Sequence, residues 1–289
     1  MNRFFVTKIF QLILFMFLSL PLFSATYTGK HSLEDSSLEI YLINVGHGDA
    51  ILIKADDKVV LMDTGFSWKA EKVLLPFLKK MGITNIDYLI LTHMHPDHIG
   101  GAKKIIENFS IGEVLTNGTS LVGDLDYINF MSALFKYNLP TRAPSYREKL
   151  YITPEIWLDF VNKHMGEYLD IDQNNNSMAS ILHYKDLKVF LAADLARDSQ
   201  RKIFEEMSSE IASDIYKVHH HGSWKFDPDF IKAIHPKNAV FSGKSYPFGF
   251  PSWHLMKLLR KETKSRLHFN DPDTIHISSN GNEYSIENI

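Results

Sequence analysis

Residues 93–98 constrain this chain more than any other part of the sequence. Within six residues they offer three imidazoles and one carboxylate, from His93, His95, Asp97 and His98. Neutral imidazole and carboxylate are ligands that zinc, manganese and iron accept readily. The pattern therefore predicts a metal site, and a chance cluster of surface histidines is the weaker interpretation.

The segments on either side place these ligands on a turn. The apolar run at residues 86–91 predicts a buried strand, and Gly100 and Gly101 before Ala102–Asn108 predict the start of a helix. The four ligands would then lie between the end of a strand and the beginning of a helix.

The spacing divides the ligands into two pairs. His93 and His95 are two residues apart in extended chain, so their side chains point to the same side. Pro96 favours this, because it keeps the preceding residue out of the helical region. Beyond Pro96 the chain curls, and Asp97 and His98 face a different point. One pair can hold one metal and the other pair a second.

The stretch His93-Met-His-Pro-Asp-His98 resembles the His-x-His-x-Asp-His motif of the metallo-β-lactamase superfamily. Further matches occur in the order of one branch, at residues 44–53, 61–65, 174–177 and 220–223. That branch includes the soluble metallo-hydrolase domain of ComEC-type competence proteins, which are bacterial DNA-uptake channels, and some of its members act on phosphodiester bonds. The resemblance covers most of the chain after residue 38.

The resemblance implies an α/β fold, an αββα sandwich with the site along one edge. The apolar patterns agree, because strands precede helices in both halves and ligand candidates follow strand ends. The main predicted helices span residues 70–81, 127–137, 199–207 and 252–262. We expect one hydrolase domain over residues 38–289.

The resemblance also implies the remaining ligands. Asp194 matches the bridging aspartate, and His220 matches the first histidine of the His-His-Gly-Ser pattern. His93 and His95 would hold the first metal, Asp97, His98 and His220 the second, and Asp194 both. Asp97 is also the residue that we assign to catalysis. Asp63 is a candidate for orienting a ligand histidine, since such rings need a partner on their other nitrogen.

The third protein ligand of the first metal stays open between His164, residues 174–177 and a water molecule. His183 fits the alternation of a strand and is interpreted as structural. The expected cofactors are two divalent metal ions, zinc or alternatively manganese. Metal binding lowers the pKa of water from about 15.7 to near 7, which gives hydroxide for hydrolysis of phosphoester or phosphodiester bonds. A lactamase or lactonase, or a non-catalytic envelope or DNA-uptake module, are the alternatives.

Two residues depart from the branch pattern: His47 replaces the usual glutamine, and Phe250 stands where relatives often have histidine. Lys217, Lys225 and Lys244 lie near the predicted turns and are candidates for receiving a phosphate. Aromatic residues recur between residues 127 and 160, and they form either a packed peripheral segment or a wall over the metal cleft.

Residues 1–25 have the layout of a secretory signal peptide, with Arg3 and Lys8 before an apolar stretch at 9–20. An uncleaved anchor is the alternative, because Phe23 is bulky at the cleavage site. Residues 26–37 predict a flexible lead-in. We expect an exported protein, periplasmic or extracellular, without a stable membrane domain if the peptide is cleaved. The chain has no cysteine, so no disulfide framework exists.

The overall charge argues against a long DNA duplex as substrate. The chain has 31 basic and 34 acidic residues, a formal net charge of −3, and removal of Arg3 and Lys8 with the signal peptide makes it −5. Proteins that bind DNA broadly usually carry a basic footprint. We therefore expect a small or short phosphoester substrate, or single-stranded nucleic acid.

Overall fold

The computed structural model describes residues 26–27, 37–167, 170–243 and 249–289. The predicted signal peptide and most of the predicted lead-in lie outside these residues, as does Lys244. Among the described residues, no helix combines the length and the apolar character needed to cross a bilayer.

Two sheets lie face to face. In the described residues the first has nine strands in the order β1-β16-β15-β2-β3-β4-β5-β6-β7. Its strands are Thr26–Tyr27 (β1), Leu38–Leu42 (β2), Ile51–Ala55 (β3), Lys58–Met62 (β4), Asn85–Leu91 (β5), Ser110–Thr116 (β6), Thr141–Arg142 (β7), Ile275–Ser279 (β15) and Glu283–Asn288 (β16). Strands β4 to β7 run parallel to one another, whereas β2, β3 and β4 pair antiparallel.

The second sheet has seven strands in the described residues, in the order β14-β13-β12-β11-β10-β9-β8. They are Lys149–Tyr151 (β8), Ile156–Phe160 (β9), Ser180–Tyr184 (β10), Leu187–Leu191 (β11), Ile215–Lys217 (β12), Asn238–Phe241 (β13) and Arg266–Phe269 (β14). Strands β11 to β14 are parallel, and β8 to β11 pair antiparallel.

Helices cover the outer face of each sheet. Helix α1 runs through Ser67–Lys69, a π-helical turn at Ala70–Leu74 and Leu75–Lys80. The others are Pro96–Ile99 (α2), Ala102–Asn108 (α3), Leu125–Tyr137 (α4), Arg197–Met207 (α5), Pro228–Ile234 (α6) and Trp253–Lys261 (α7), with 3-10 turns at Asp170–Asn176 and His219–Gly222. The layers therefore follow the αββα order, which confirms the predicted fold class.

Strand alternation explains the layers. In β2, Ile40 and Leu42 join the core between the sheets, whereas Tyr41 faces the core under the first helical layer. Phe190 in β11 likewise belongs to the core beneath the second helical layer. Successive side chains of a strand point to opposite faces. A sheet with helices on one face and a second sheet on the other is therefore apolar on both sides.

The weakly patterned middle of the chain contains more strand than its sequence indicated. Strands β7, β8 and β9 extend the edges of both sheets between residues 141 and 160. Prolines interrupt the apolar periodicity here, so alternation over a few residues gave no clear signal. The helix at residues 127–137 was predicted two residues short, because Asp124 accepts the Tyr127 N–H at 2.9 Å and starts it earlier.

Candidate metal centre

The candidate ligands come from strand ends at one edge of the sandwich. Asp63 follows β4, His93 follows β5, and Asp194 follows β11. The turn His219–Gly222 follows β12. Carboxyl ends of parallel strands meet at one edge of a sheet, and ligand sites in α/β proteins form there. The strand order thus brings residues from both halves of the chain, such as Asp63 and Asp194, to one place.

Four residues form the tightest group. The candidate ligand atoms of Asp97, His98, Asp194 and His221 all lie within 4.8 Å of one another. Nε2 of His98 lies 3.2 Å from Oδ2 of Asp194. Nε2 of His221 lies 3.4 Å from Asp97 Oδ2 and 3.5 Å from Asp194 Oδ2. Two imidazoles and two carboxylates at this separation suit one tetrahedral divalent ion.

The structure places His221, and not His220, in this group, so His221 is a further candidate ligand and the assignment of His220 to the second metal stays a prediction. His220 and His221 both have left-handed backbone, with φ of 42° and 53°. This double turn directs the buried His221 ring toward Asp97. His220 lies on the other side of Asp194, with Nε2 3.8 Å from Asp194 Oδ2, and its side chain is 20% exposed.

The other predicted pair lies next to this group. Nε2 of His93 is 3.1 Å from Nδ1 of His95, and the His93 ring centroid is 4.1 Å from that of His98. Burial and the neighbouring His98 hold the pKa of His93 well below its ordinary value, so the ring is a neutral ligand. His93 and His95 can therefore hold an ion beside the group formed by Asp97, His98, Asp194 and His221.

Asn174 completes the surroundings of this pair. Its Nδ2 lies 3.4 Å from Nδ1 of His220, and its side chain also bonds His95. His164 lies elsewhere, between Glu167 at 2.7 Å and Glu206 at 3.0 Å. Of the two protein candidates for the third ligand, the structure brings only the 174–177 stretch to the site. His183 stacks on Trp157, as expected of a structural residue.

Asp63 orients His98. Its Oδ2 accepts hydrogen bonds from Nδ1 of His98 and from the Thr92 hydroxyl, both at 2.7 Å. Its Oδ1 accepts a hydrogen bond from the Thr92 N–H at 2.8 Å. This leaves Nε2 of His98 directed into the site. Burial lowers the pKa of His98, but Asp194, Asp63 and Asp97 outweigh it and hold the pKa well above its ordinary value.

Ser242 and Asp49 play a similar part for His221, which the sequence analysis missed. The Ser242 hydroxyl lies 3.3 Å from Nδ1 of His221 and donates to Asp49. Asp49 also accepts from Lys217, and its Oδ1 lies 3.7 Å from the same ring nitrogen. Asp49 and Lys217 are both buried. Lys217 is therefore engaged inside the protein and does not receive a phosphate, contrary to the prediction. The signal was the Gly46-His-Gly-Asp49 turn, which places a carboxylate directly before a strand.

His47 and Phe250 stand together at the mouth of the site. Their ring centroids are 6.3 Å apart with planes 26° apart, and Nε2 of His47 lies 3.4 Å from Asp97 Oδ2. Burial and the neighbouring His221 lower the pKa of His47 to about 4, so the ring is neutral at pH 7. An imidazole thus reaches the site from residue 47, although residue 250 provides none.

Unsatisfied buried atoms test whether metal ions fit. In the described residues, Oδ1 of Asp194, Oδ1 of Asn174 and Nε2 of His98 and His221 are buried without a well-formed hydrogen bond. Native proteins rarely leave such atoms unpaired, and coordination of a cation would satisfy them. All four atoms belong to the candidate ligand sets. The residues present therefore fit two divalent ions.

The aromatic residues between 127 and 160 are neither all part of a packed peripheral segment nor all part of a wall over the metal site. Tyr127, Phe130 and Phe135 line a cavity of about 610 Å³ with Met94, which lies between the ligands His93 and His95. Trp157 and Tyr151 instead pack together on the second sheet. Part of the segment therefore borders the metal-bearing turn, and part is structural.

Comparison with known proteins agrees with this geometry. A profile of the metallo-beta-lactamase superfamily matches residues 43–242. ComE operon protein 3 of Bacillus subtilis is 26% identical over 78% of this chain, and Recombination protein 2 of Haemophilus influenzae is 28% identical over 77%. The matched regions cover 31% and 26% of those relatives, so the chain spans less than a third of their length.

Solved structures share the fold. The metallo-beta-lactamase fold protein YhfI from Bacillus subtilis superposes with a TM-score of 0.52 at 13% identity, covering 80% of this chain and 96% of that one. A putative metal-dependent hydrolase from Parabacteroides distasonis gives a TM-score of 0.50 at 15% identity, covering 83% and 98%. The chain belongs to the metallo-beta-lactamase superfamily, and its curated homologues there are ComEC-type competence proteins.

Proposed function

We propose that this protein is an exported, two-metal hydrolase of phosphodiester bonds. The observation that carries the proposal is the position of Asp194. Its Oδ2 lies 3.2 Å from His98, 3.5 Å from His221 and 3.8 Å from His220. The charge of Asp194 also acts on His93 and His95, so one carboxylate lies near both ligand sets. An anion in this position would offset the mutual repulsion of two cations held close together.

The two ligand sets follow from this position. Asp97, His98 and His221 would hold one ion with Asp194, and His93 and His95 the other, with His220 and Asn174 beside them. Two divalent ions in such a site supply a nucleophile at neutral pH, polarise the bond that is attacked and stabilise the departing oxygen. Zinc suits the mixture of imidazole and carboxylate, and manganese is the alternative.

Asp97 and His47 supply the protein groups nearest the opening. Asp97 is the most exposed member of the four-residue group, with a side chain 15% exposed. His98 and His221 overcome the effect of burial and hold the pKa of Asp97 below its ordinary value, so it is a carboxylate at pH 7. It can orient a water molecule by accepting its hydrogen bond. The neutral His47 ring, 3.4 Å away, can bond a phosphoryl oxygen.

The choice of phosphodiesters over lactams or lactones rests on the similarity to competence and recombination proteins. The test is a panel of bis(p-nitrophenyl) phosphate, a chromogenic β-lactam and a lactone, with protein reconstituted in zinc or manganese. We expect turnover of the phosphodiester. Asp97→Asn should reduce it by more than about 100-fold. Asp87→Asn changes a carboxylate that bonds Val59 at 2.9 Å in the first sheet and serves as its control.

Faster turnover of the lactam or lactone than of any phosphodiester would replace the proposal with that alternative. No turnover of any substrate by protein that holds two ions would favour the non-catalytic module. Export is tested separately by sequencing the N-terminus of the protein purified from its own cells. We expect the mature chain to begin near Thr26, and intact Met1 on cytoplasmic protein would contradict export.

A further inference from the structure

Helix α7 carries a stripe of positive charge on its outer face. Its four members, three cations and one tryptophan, share one side of the helix, because the cations lie four, seven and eight residues after the tryptophan. They are Trp253, Lys257, Arg260 and Lys261, here called the α7 stripe. All four side chains are exposed, and Trp253 is 61% exposed. The opposite side, Leu255 and Leu259, is buried in the core beneath the second helical layer.

The cations of the α7 stripe lack acidic partners. Within the part of the chain that the structure describes, Lys257, Arg260 and Lys261 form no ion pair, whereas the half-buried Lys104 lies 2.8 Å from Glu71. Like charges three and four residues apart destabilise a helix. The helix dipole favours Arg260 and Lys261 in the last turn, but it does not account for Lys257.

Trp253 and the groove beside it extend the stripe. Nζ of Lys257 lies 4.9 Å from the centroid of the Trp253 ring. A groove of about 330 Å³ is lined by the four stripe residues together with Met256. An exposed aromatic ring beside a row of cations is the combination that binds single-stranded nucleic acid, because bases stack while phosphates pair with the cations.

Helix α7 begins next to the turn that carries His221. The Ser252 N–H, one residue before α7, donates to the carbonyl of Gly222 at 2.7 Å, and Gly222 directly follows His221. A Cβ on Gly222 would lie 2.5 Å from Pro251, so the two segments are in close contact. Nine helical residues span about 13 Å. A chain of phosphates held at the centre can therefore continue along the stripe.

We propose that the α7 stripe binds the phosphate backbone of a single-stranded polynucleotide beyond the phosphate that is cleaved. The inference rests on the proposed function and names the part of the protein that would select a polynucleotide. It also refines the argument from net charge. The chain is acidic overall, at −3, but three cations without an ion pair in the described residues lie in one row on the helix that begins beside the His221 turn. Three contacts suit a short single strand better than a long duplex.

The test measures binding of a fluorescent ten-nucleotide oligothymidylate to the full chain after removal of metals. Each neutralised phosphate contributes about −0.7 to the slope of log affinity against log salt for single strands, so three contacts predict a slope near −2. The triple variant Lys257→Gln, Arg260→Gln, Lys261→Gln should bring the slope toward zero and weaken binding at low salt by at least about ten-fold.

A matched variant controls for net charge. Lys72→Gln, Lys80→Gln, Lys136→Gln removes the same charge from the first helical layer, and it should leave the slope unchanged. Trp253→Ala should weaken binding of oligothymidylate by about ten-fold and leave an abasic oligomer unaffected. Thermal unfolding establishes that each variant is folded before its binding is compared.

Equal effects of both triple variants would overturn the proposal, since net charge alone would then explain binding. So would binding to phosphatidylglycerol vesicles with no binding of the oligonucleotide, which would identify an anionic membrane as the partner. Hydrolysis of bis(p-nitrophenyl) phosphate separates the two proposals. If the wild type cleaves the ester but the α7 triple variant still binds the oligonucleotide normally, only the proposal about the α7 stripe is contradicted. If the α7 triple variant loses oligonucleotide binding but the wild type never cleaves the ester, only the proposed function is contradicted.

Discussion

Asp63 and His98 form a buried pair in which the histidine Nδ1 donates to the carboxylate at 2.7 Å. The opposite nitrogen of the same ring lies 3.2 Å from Asp194. His98 is thus fixed by a carboxylate on one side and presented to the centre on the other. The rotational freedom of this ring has been removed before any ion arrives.

Asp63→Asn should therefore weaken metal binding while keeping the fold. An amide of the same size still accepts from Thr92, but it cannot stabilise the imidazole as a charged partner does. Loss of such a partner typically costs 10- to 100-fold in metal affinity. Competition with a chromogenic chelator measures it. Asp87→Asn is the control, and an equal loss in that variant would point to a general effect on the first sheet.

Ion occupancy distinguishes the two ligand sets. We expect about two divalent ions per chain in metal-replete buffer. Asp97→Ala and His221→Ala should each reduce this to about one, because both residues belong to the four-residue group. His220→Ala should affect the other ion. Elemental analysis after dialysis gives the counts. A wild-type value that never exceeds one would contradict the two-ion arrangement.

Gly48 lies where the turn after β2 passes the metal-bearing helix. A Cβ at this position would be 2.3 Å from the carbonyl oxygen of Asp97, and φ is 111°. Gly48→Ala should displace Asp97 and lower both the occupancy of the second ion and the hydrolytic rate. At Gly82, with φ of 70°, no atom lies within 4 Å of the added Cβ, so Gly82→Ala controls for strain. Equal losses of ion in both variants would count against this explanation.

Stability should fall in mild acid partly through His183. Burial, followed by Lys188, lowers its folded-state pKa to about 4, against 6.5 when unfolded. Between these values the unfolded chain binds more protons, so stability decreases as pH falls below 6.5. His183→Gln removes this contribution. The stability difference between wild type and variant should shrink by about 1 to 2 kcal/mol from pH 7 to pH 5.

Chemical denaturation at several pH values measures that difference. The variant loses the stacking of His183 on Trp157, so it starts less stable at pH 7. A difference that stays constant with pH would mean that the ring carries the same charge in the folded and unfolded states.

The layers of this fold and the candidate ligands of residues 93–98 could be predicted from local patterns. Residues 93–98 predicted two ligand pairs because an extended residue before proline and a curl after it have opposite geometries. The strand ending at Leu91 was recognised as a short apolar run. Asp194 was assigned as a ligand by its match to the bridging aspartate of the family, because an aspartate after a strand is by itself usually a turn residue.

The choice between His220 and His221 could not be made in this way. Two consecutive residues with positive φ reverse the expected directions of their side chains, and nothing in a run of three histidines indicates that turn. The role of Asp49 was equally hidden. Its partners Lys217 and Ser242 are 168 and 193 residues away, and only the meeting of the two sheets brings them together.

That meeting has a consequence for how the molecule holds together. Asp49 lies in the turn before β3 of the first sheet, whereas Lys217 ends β12 and Ser242 follows β13 of the second. The four-residue group likewise draws Asp97 and His98 from one half of the chain and Asp194 and His221 from the other. Ions bound there would therefore link the two halves of the chain. If the chain is expressed as two separate fragments, one for each half, their association should depend on added zinc and should be reversed by a chelator. Folding of the whole domain would then depend on the availability of metal.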